Sequence, residues 1–223
     1  FTIDDAVQWA RDRPGAAPMW WSQRLTAVRP FAAWLNARGA DIPLIPTGLL
    51  PVTTTRREPF IYSQTDLNHL LVACAFVFPH VRVAATMSTI IGLLAATGLR
   101  IGEALRLTVP DLDTTGHVLR VQGAKTPLDR LVPLHPTTTT AILDYLALPE
   151  RLATSPAPDG PIFVNHQGHR FVLETIEQHF RALVNALELA GPAEPRPRLH
   201  DLRHTFATRH MITAYTSGGD PAR

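Results

Sequence analysis

The chain has 223 residues, of which 45% are hydrophobic, enough to bury a core in one large domain or in a medium domain with a small companion. Its most apolar run, residues 87–99, is too short to span a bilayer, and the N-terminus shows no basic-then-apolar targeting pattern. We therefore expect a cytoplasmic protein with no membrane partner, and the single cysteine, Cys74, excludes an internal disulfide and predicts a buried side chain.

The first forty or so residues predict a small helical unit. Thr2 and Asp5 have the spacing of a capping box. Apolar side chains then recur at helical spacing, at Trp21, Leu25, Val28, Ala32 and Leu35. Residues 43–59 are rich in proline and have no regular period, as expected of an extended connector. We therefore predict a helical domain at residues 1–45, a linker at 46–59 and a larger domain at 60–223.

The larger domain predicts more helices and a small sheet. Ser63 with Asp66 opens one helix, an apolar helix over residues 87–96 follows, and Gly98 should break it. "IGEALRL" predicts another helix, and "GHVLRVQGAKTPLDRLVPLH" predicts short antiparallel strands around a polar turn. Further helices fit residues 137–148 and 173–190, the second capped by Gly191, with "PIFVN" as a short extended piece between them. The predicted fold class is mostly α with a small antiparallel β-sheet.

A histidine and an arginine share one side of the helix that begins "LHDLRHTF". Leu199, Leu202 and Phe206 have the spacing of a core-facing stripe, and His200 and Arg203 lie on the stripe beside it. Two polar heads at the edge of a core can attract an anion, because desolvation strengthens their pull. The structural alternative is that Arg203 pairs with an acidic side chain and that His200 only makes hydrogen bonds within the folded protein.

A metal site is a further alternative for the histidines. His200 and His204 are four residues apart on one helix, and His166 and His169 lie in a predicted loop. A metalloprotease helix would have Glu directly after its first histidine, whereas Asp201 stands there and no third ligand is evident. We therefore expect no metal.

The basic residues comprise twenty arginines and one lysine, Lys125, near the predicted strand turn. Arginine favours bidentate contacts with phosphates but is a poor general acid, whereas lysine has a labile proton. Lys125 is therefore a candidate general acid. The alternative is that it is a solvent-exposed lysine on a hairpin, present by chance and without a role in catalysis.

Three segments, "AATGLRIGEALRL", "KTPLDRLVPLHP" and "RPRLHDLRHTFATRH", together resemble the tyrosine recombinase (phage integrase) family in order and approximate spacing. The resemblance covers the chain from about Phe60 onward as the catalytic domain. It implies that the N-terminal helical unit is a SAM-like core-binding domain and that the two domains clamp duplex DNA.

The resemblance implies catalytic roles for Arg100, Lys125, His200 and Arg203. The two guanidinium groups would grip one phosphodiester, Lys125 would protonate the leaving 5′ oxygen, and His200 would orient the phosphate and assist proton transfer. Glu103 matches the acid of the family motif and would hold an arginine in place, unless it forms only a surface ion pair. Because the arginines supply positive charge, the resemblance implies neither cofactor nor metal.

The nucleophile of the family is a tyrosine in a later helix, and we find none that matches. Tyr215 follows Arg203 by twelve residues in the same predicted helix, about 18 Å along the axis. Tyr62 and Tyr145 match no nucleophile motif. The expectation is a recombinase chain truncated at its C-terminus and without its own nucleophile.

The leading hypothesis is therefore a site-specific DNA recombinase or integrase. The alternative is a non-catalytic DNA-binding protein that occupies recombination sites, and a metal hydrolase is a remote third possibility. The expected partner is double-stranded DNA, with candidate DNA contacts at Arg24, Arg29, Arg38, Arg56 and Arg57. The resemblance also implies a homo-tetramer on DNA when the C-terminal segment of the family is present.

Overall fold

The chain folds into two compact units, residues 1–57 and 58–223. The computed structural model describes residues 1–13, 15–50, 57–123, 129–190 and 195–217. The predicted boundaries at residues 45 and 60 stay a prediction; Leu50, inside the predicted linker, is buried in the core of the first unit with Leu25 and Ile45. Within the described ranges, no helix is long and apolar enough to cross a membrane.

The described part of the first unit contains the helices α1 (Ile3–Arg11) and α2 (Pro18–Asn36). The predicted capping box opens α1, because the amide of Asp5 donates to Thr2 Oγ1 (3.1 Å) and the amide of Thr2 donates to Asp5 Oδ2 (2.7 Å). Pro18 stands in the first turn of α2, where its missing N–H costs no hydrogen bond. The predicted helical start of the chain is confirmed.

The second unit contains helices packed around a central one. They are α3 (Gln64–Val77), α4 (Val81–Thr97), α5 (Ile101–Ala104), α6 (Pro136–Ala147), α7 (Pro149–Leu152), α8 (Leu173–Ala186) and α9 (Leu199–Thr216). Helix α4 contacts α3, α6 and α9, and its Met87, Ile90 and Ile91 are completely buried. The capping box at Ser63 and the break after Thr97 occur where the sequence predicted them.

A three-stranded antiparallel sheet lies in the chain between α5 and α6. Its strands are β1 (Leu112–Asp113), β2 (Val118–Val121) and β3 (Arg130–Pro133), with β2 in the middle. Leu119 and Val121 of β2 are buried, and the register pairs Val121 with Arg130. The predicted fold class, mostly helical with a small antiparallel sheet, is confirmed.

Two local predictions need correction. Helix α8 ends at Ala186 rather than Ala190, because Leu187 caps it and Glu188 takes a left-handed φ of 47°; Gly191, the predicted cap, lies outside the described residues. The predicted short extended piece, "PIFVN", takes part in two isolated antiparallel bridges, Thr108 to Pro161 and Val164 to Arg170.

The second correction concerns the apolar stripe of α9. Leu199 and Leu202 are buried as predicted, but Phe206 is only partly buried. Thr205 is buried in that region instead, because its hydroxyl donates to Asp201 O (2.9 Å) and accepts the amide of Tyr62 (3.0 Å). A satisfied hydroxyl can occupy a core position at little cost in free energy.

Candidate functional site

Arg100 is positioned by the break between α4 and α5. Gly98 caps α4 in the left-handed conformation (φ 63°), Leu99 is buried, and Arg100 becomes the N-cap residue of α5. A left-handed C-cap is the usual role of glycine, since other side chains are strained there. The guanidinium side chain of Arg100 remains 60% exposed, so the sharp turn presents it to solvent.

Glu103 is a buried carboxylate that binds two arginines, Arg100 and Arg130. It accepts the amide of Arg100 at Oε2 (2.9 Å) and Arg100 Nη1 at Oε1 (3.1 Å). Arg130 donates to it through both ends of its fork, Nη1 to Oε1 (3.1 Å) and Nη2 to Oε2 (2.8 Å). Burial alone would raise the pKa of Glu103, but the bonds and charge of Arg130, with the bonds from Arg100, lower it to about 2. The carboxylate is therefore ionised throughout the neutral range.

Sequence reasoning did not single out Arg130, although it lies in the quoted segment "KTPLDRLVPLHP". It is the first residue of β3, and its side chain is 45% exposed. The available signal was Glu103, because a carboxylate that becomes buried requires partners for all of its lone pairs. The sequence could not show which of many arginines would supply them.

The start of α9 positions Arg203. The side chain of Asp201 is buried and accepts the amide of Arg198 (2.9 Å) and Arg198 Nη2 (2.9 Å), which fixes the first turn of the helix. One turn on, Arg203 donates from Nη1 to the carbonyl of Gly98 (2.6 Å). The residue that turns the chain into Arg100 is therefore also the residue that anchors Arg203.

The charges of the arginines act on one another. Partial burial lowers the pKa of Arg203, and the positive charges of Arg100 and Arg130 lower it further, while Glu103 opposes them. The structure thus brings Arg100, Arg130 and Arg203 into one electrostatic cluster around Glu103. Glu103 pairs with Arg100 and Arg130 but has no hydrogen bond with Arg203, so the three cations outnumber the one carboxylate and leave positive charge that an anion could neutralise.

His200 is exposed beside this cluster. Its ring lies against that of His204 in an edge-to-face arrangement, with ring centroids 4.8 Å apart. Partial burial and the neighbouring His204 lower the pKa of His200, Arg198 and Arg203 act in the same direction, and only Asp201 opposes them. His200 is therefore neutral at physiological pH and free to accept or donate one proton.

The structure leaves other predicted site residues untested. Lys125 and Arg56 lie outside the described residues. In the first unit, the guanidinium of Arg24 stacks over Trp9 (4.0 Å) and that of Arg38 over Trp34 (4.4 Å). Arg29 donates from Nε to the carbonyl of Pro46 (3.2 Å), and Arg57 is exposed. Their proposed contacts with DNA remain predictions.

The three tyrosines of the chain occupy different environments. Tyr62 is buried and donates to the carbonyl of Arg198 (2.9 Å), and burial raises the pKa of its phenol. Tyr145 is buried beside Phe163 and Thr86. Tyr215 is exposed near the end of α9, the same helix that begins with His200 and Arg203. A straight helix places it about 18 Å along the axis from Arg203.

The predicted alternative of a metal centre finds no ligand set in the described part of the chain. No group of three or more His, Cys, Asp or Glu side chains there has an arrangement that could hold an ion. His200 and His204 are neighbours, but neither has a carboxylate positioned with it as a third ligand in those ranges.

Known proteins are similar to this chain in sequence and in fold. The phage integrase family profile matches residues 64–215. An integrase/recombinase of Sinorhizobium fredii, y4rB, is 35% identical across the whole chain and 72% of its own length. The tyrosine recombinase XerC of Methylobacterium nodulans is 31% identical over 93% of the chain, which spans only 62% of that relative.

The architecture is also similar to that of solved recombinases. XerH, crystallised with its difH substrate before cleavage, matches 96% of this chain and 61% of its own with a TM-score of 0.73 at 17% identity. That likeness supports the fold, and the family profile covers more than half of the residues. The resemblance predicted from three sequence segments is confirmed, and the chain belongs to the phage integrase family of tyrosine recombinases.

Proposed function

We propose that this chain binds duplex DNA and engages a phosphodiester as part of a site-specific recombinase. The observation that carries the proposal is that Arg100 and Arg130 bind one carboxylate, Glu103, while Arg203 is anchored on the carbonyl of Gly98, two residues before Arg100. Guanidinium forks match the geometry of phosphate oxygens, and a partly desolvated site strengthens the attraction. XerH, which has a similar fold, was crystallised with its difH substrate.

Within this proposal, Arg100 and Arg203 grip the non-bridging oxygens of the phosphodiester and stabilise the charge that grows there during displacement. Neutral His200 orients the phosphate and assists proton transfer, and Lys125 protonates the leaving 5′ oxygen. The arginines supply the positive charge, so the proposal requires no metal or cofactor. Where the C-terminal segment of the family is present, a homo-tetramer on two DNA sites, in the cytoplasm, completes it.

The position of the tyrosines favours a second candidate, a DNA-binding protein that occupies recombination sites without cutting them. Tyr62 and Tyr145 are buried, and Tyr215 is about three turns of helix from Arg203. A transition state is stabilised only when a nucleophile is aligned with it. In this chain alone we therefore expect binding without cleavage.

The first experiment measures binding. Duplexes that the chain retains from a randomised library provide the substrate, and anisotropy measures affinity at several salt concentrations. We expect a slope of about 0.9 in log Kd against log salt for each phosphate contacted. Arg100→Lys and Arg203→Lys should each weaken binding, because an ammonium lacks the fork. Arg181→Lys, an exposed arginine on α8, is the matched control. Affinity that does not change with salt would refute the proposal.

The second experiment distinguishes the two candidates. The selected duplex is nicked so that a cleaved end diffuses away and traps any covalent link. We expect no denaturant-resistant protein–DNA band from this chain. A band that is lost in Tyr215→Phe would identify Tyr215 as the nucleophile and contradict the second candidate.

A further inference from the structure

Arg130 differs from Arg100 in how it binds Glu103. Its fork meets the carboxylate side-on, one hydrogen bond to each oxygen, at 3.1 and 2.8 Å. Arg100 meets the same carboxylate with a single guanidinium nitrogen at 3.1 Å, and its other contact is through the backbone amide. The bidentate partner of Glu103 is therefore the arginine of the sheet and not the arginine one turn away.

The four contacts fill the carboxylate. A carboxylate has about four lone-pair sites, and Glu103 accepts two hydrogen bonds at Oε1 and two at Oε2. Its side chain is only 9% exposed, so water is a poor substitute for any of them. While Arg130 occupies both oxygens side-on, Glu103 cannot also take the fork of Arg100 side-on.

This arrangement decides how much of Arg100 is available to a ligand. Arg100 uses Nη1 for Glu103, and its side chain is 60% exposed. Without Arg130, the carboxylate would have two vacant lone-pair sites, and Arg100, which already donates Nη1 to it, could fill them with its second nitrogen. An arginine that pairs side-on with a carboxylate can no longer present the same edge to a phosphate.

We infer that Arg130 is a positioning residue that occupies Glu103, so that the guanidinium group of Arg100 is held by one hydrogen bond and keeps its remaining donors for a DNA phosphate. The inference rests on the proposed function. Arg130 acts through Glu103 rather than by touching the phosphate. It also ties the start of β3 to α5, five residues after Lys125 in the sequence.

The first arm of the test does not involve DNA. Carbon-13 titration of the Glu103 carboxyl group is compared in the wild type, Arg130→Gln and Arg120→Gln. Arg120 is the matched control, because it lies on the neighbouring strand, is 55% exposed and contacts a different acid, Asp111, at 3.8 Å. We expect the Glu103 inflection to rise from about 2 in Arg130→Gln and to stay in place in Arg120→Gln. An unchanged inflection in Arg130→Gln would overturn the inference.

The second arm measures affinity for the selected duplex in a double-mutant cycle of Arg130→Gln and Glu103→Gln. We expect Arg130→Gln alone to weaken binding by about tenfold to a hundredfold, the range for losing one charge-assisted hydrogen bond, and to lower the salt slope by about 0.9. In the Glu103→Gln background, the same substitution should change affinity by less than about threefold, because no carboxylate remains to capture Arg100. Arg130→Lys should fall between wild type and Arg130→Gln, since an ammonium keeps the charge but loses the fork.

The outcomes distinguish the positioning role of Arg130 from the proposed function, which is DNA binding. If Arg130→Gln weakens binding equally in both backgrounds, Arg130 touches the phosphate itself and the positioning role is wrong. If Arg130→Gln and Arg130→Lys both bind like wild type, the role is also wrong. If the wild type shows no salt-dependent binding, the proposed function fails, whereas the titration still reports whether Arg130 holds Glu103.

Discussion

Gly98 positions both Arg100 and Arg203, so its replacement by alanine tests the fold around the arginine site. Its φ of 63° turns the chain from α4 into Arg100, and its carbonyl accepts Arg203 Nη1 at 2.6 Å. A Cβ at this position would collide with Cδ1 of Phe206 and lie 3.0 Å from Cγ and Cε1 of the same ring. Gly98→Ala therefore combines backbone strain with steric overlap.

The two costs can be separated. A left-handed conformation costs an alanine about 1–2 kcal/mol, and overpacking against a ring costs about 1–3 kcal/mol more, so we expect Gly98→Ala to lower the free energy of unfolding by about 2–5 kcal/mol. Phe206→Leu removes part of the obstacle. The double variant Gly98→Ala/Phe206→Leu should therefore be more stable than the sum of the single effects predicts, by up to about 3 kcal/mol.

The distribution of tryptophans provides an assay for each unit. All four lie within residues 1–57, so tryptophan fluorescence follows the first unit, while far-UV circular dichroism follows both. We expect Gly98→Ala to shift the dichroism transition of the second unit and to leave the fluorescence transition unchanged. Gly39→Ala is the control, because Gly39 has a φ of 84° with nothing within 4 Å of an added Cβ, and it should destabilise the first unit by the backbone cost alone. A wild-type dichroism transition in Gly98→Ala, or additive effects with Phe206→Leu, would refute this reasoning.

Three more predictions follow from buried polar groups. The pKa of Glu103 is lowered to about 2 from its usual 4.5, so its contribution to stability is complete above pH 4.5 and is lost as the pH falls toward 2. Between pH 4.5 and pH 2, the free energy of unfolding of the wild type should therefore fall by on the order of 3 kcal/mol more than that of Glu103→Gln. Urea titrations at each pH measure this difference. Burial raises the pKa of the Cys74 thiol to about 12, so a thiol reagent should label the native chain only as fast as it opens, and labelling as rapid as in urea would contradict this. Tyr62→Phe removes the bond to the carbonyl of Arg198 and should lower the dichroism-detected unfolding free energy by about 1–2 kcal/mol, whereas wild-type stability would show that water satisfies that carbonyl.

Local patterns in the sequence determined much of this protein. The capping boxes at Thr2 and Ser63 set the starts of α1 and α3, because each uses contacts within four residues. Gly98 ended α4 for the same local reason. Three segments were sufficient to predict the family, whereas the roles that the resemblance implies for Arg100, Glu103, His200 and Arg203 stay predictions.

The tertiary structure alone decided how those residues meet. Arg130 and Glu103 are 27 residues apart, and Arg203 and Gly98 are 105 residues apart, so no periodicity in the chain connects them. Thr205 took a buried position because Tyr62, 143 residues away, donates its amide to the hydroxyl. A sequence pattern specifies which side of an element is apolar. It does not specify which distant donor will pair with a buried carboxylate or carbonyl, because packing decides which donors come within hydrogen-bonding distance. A pairing of this kind forms because a buried polar group that is left unpaired costs free energy.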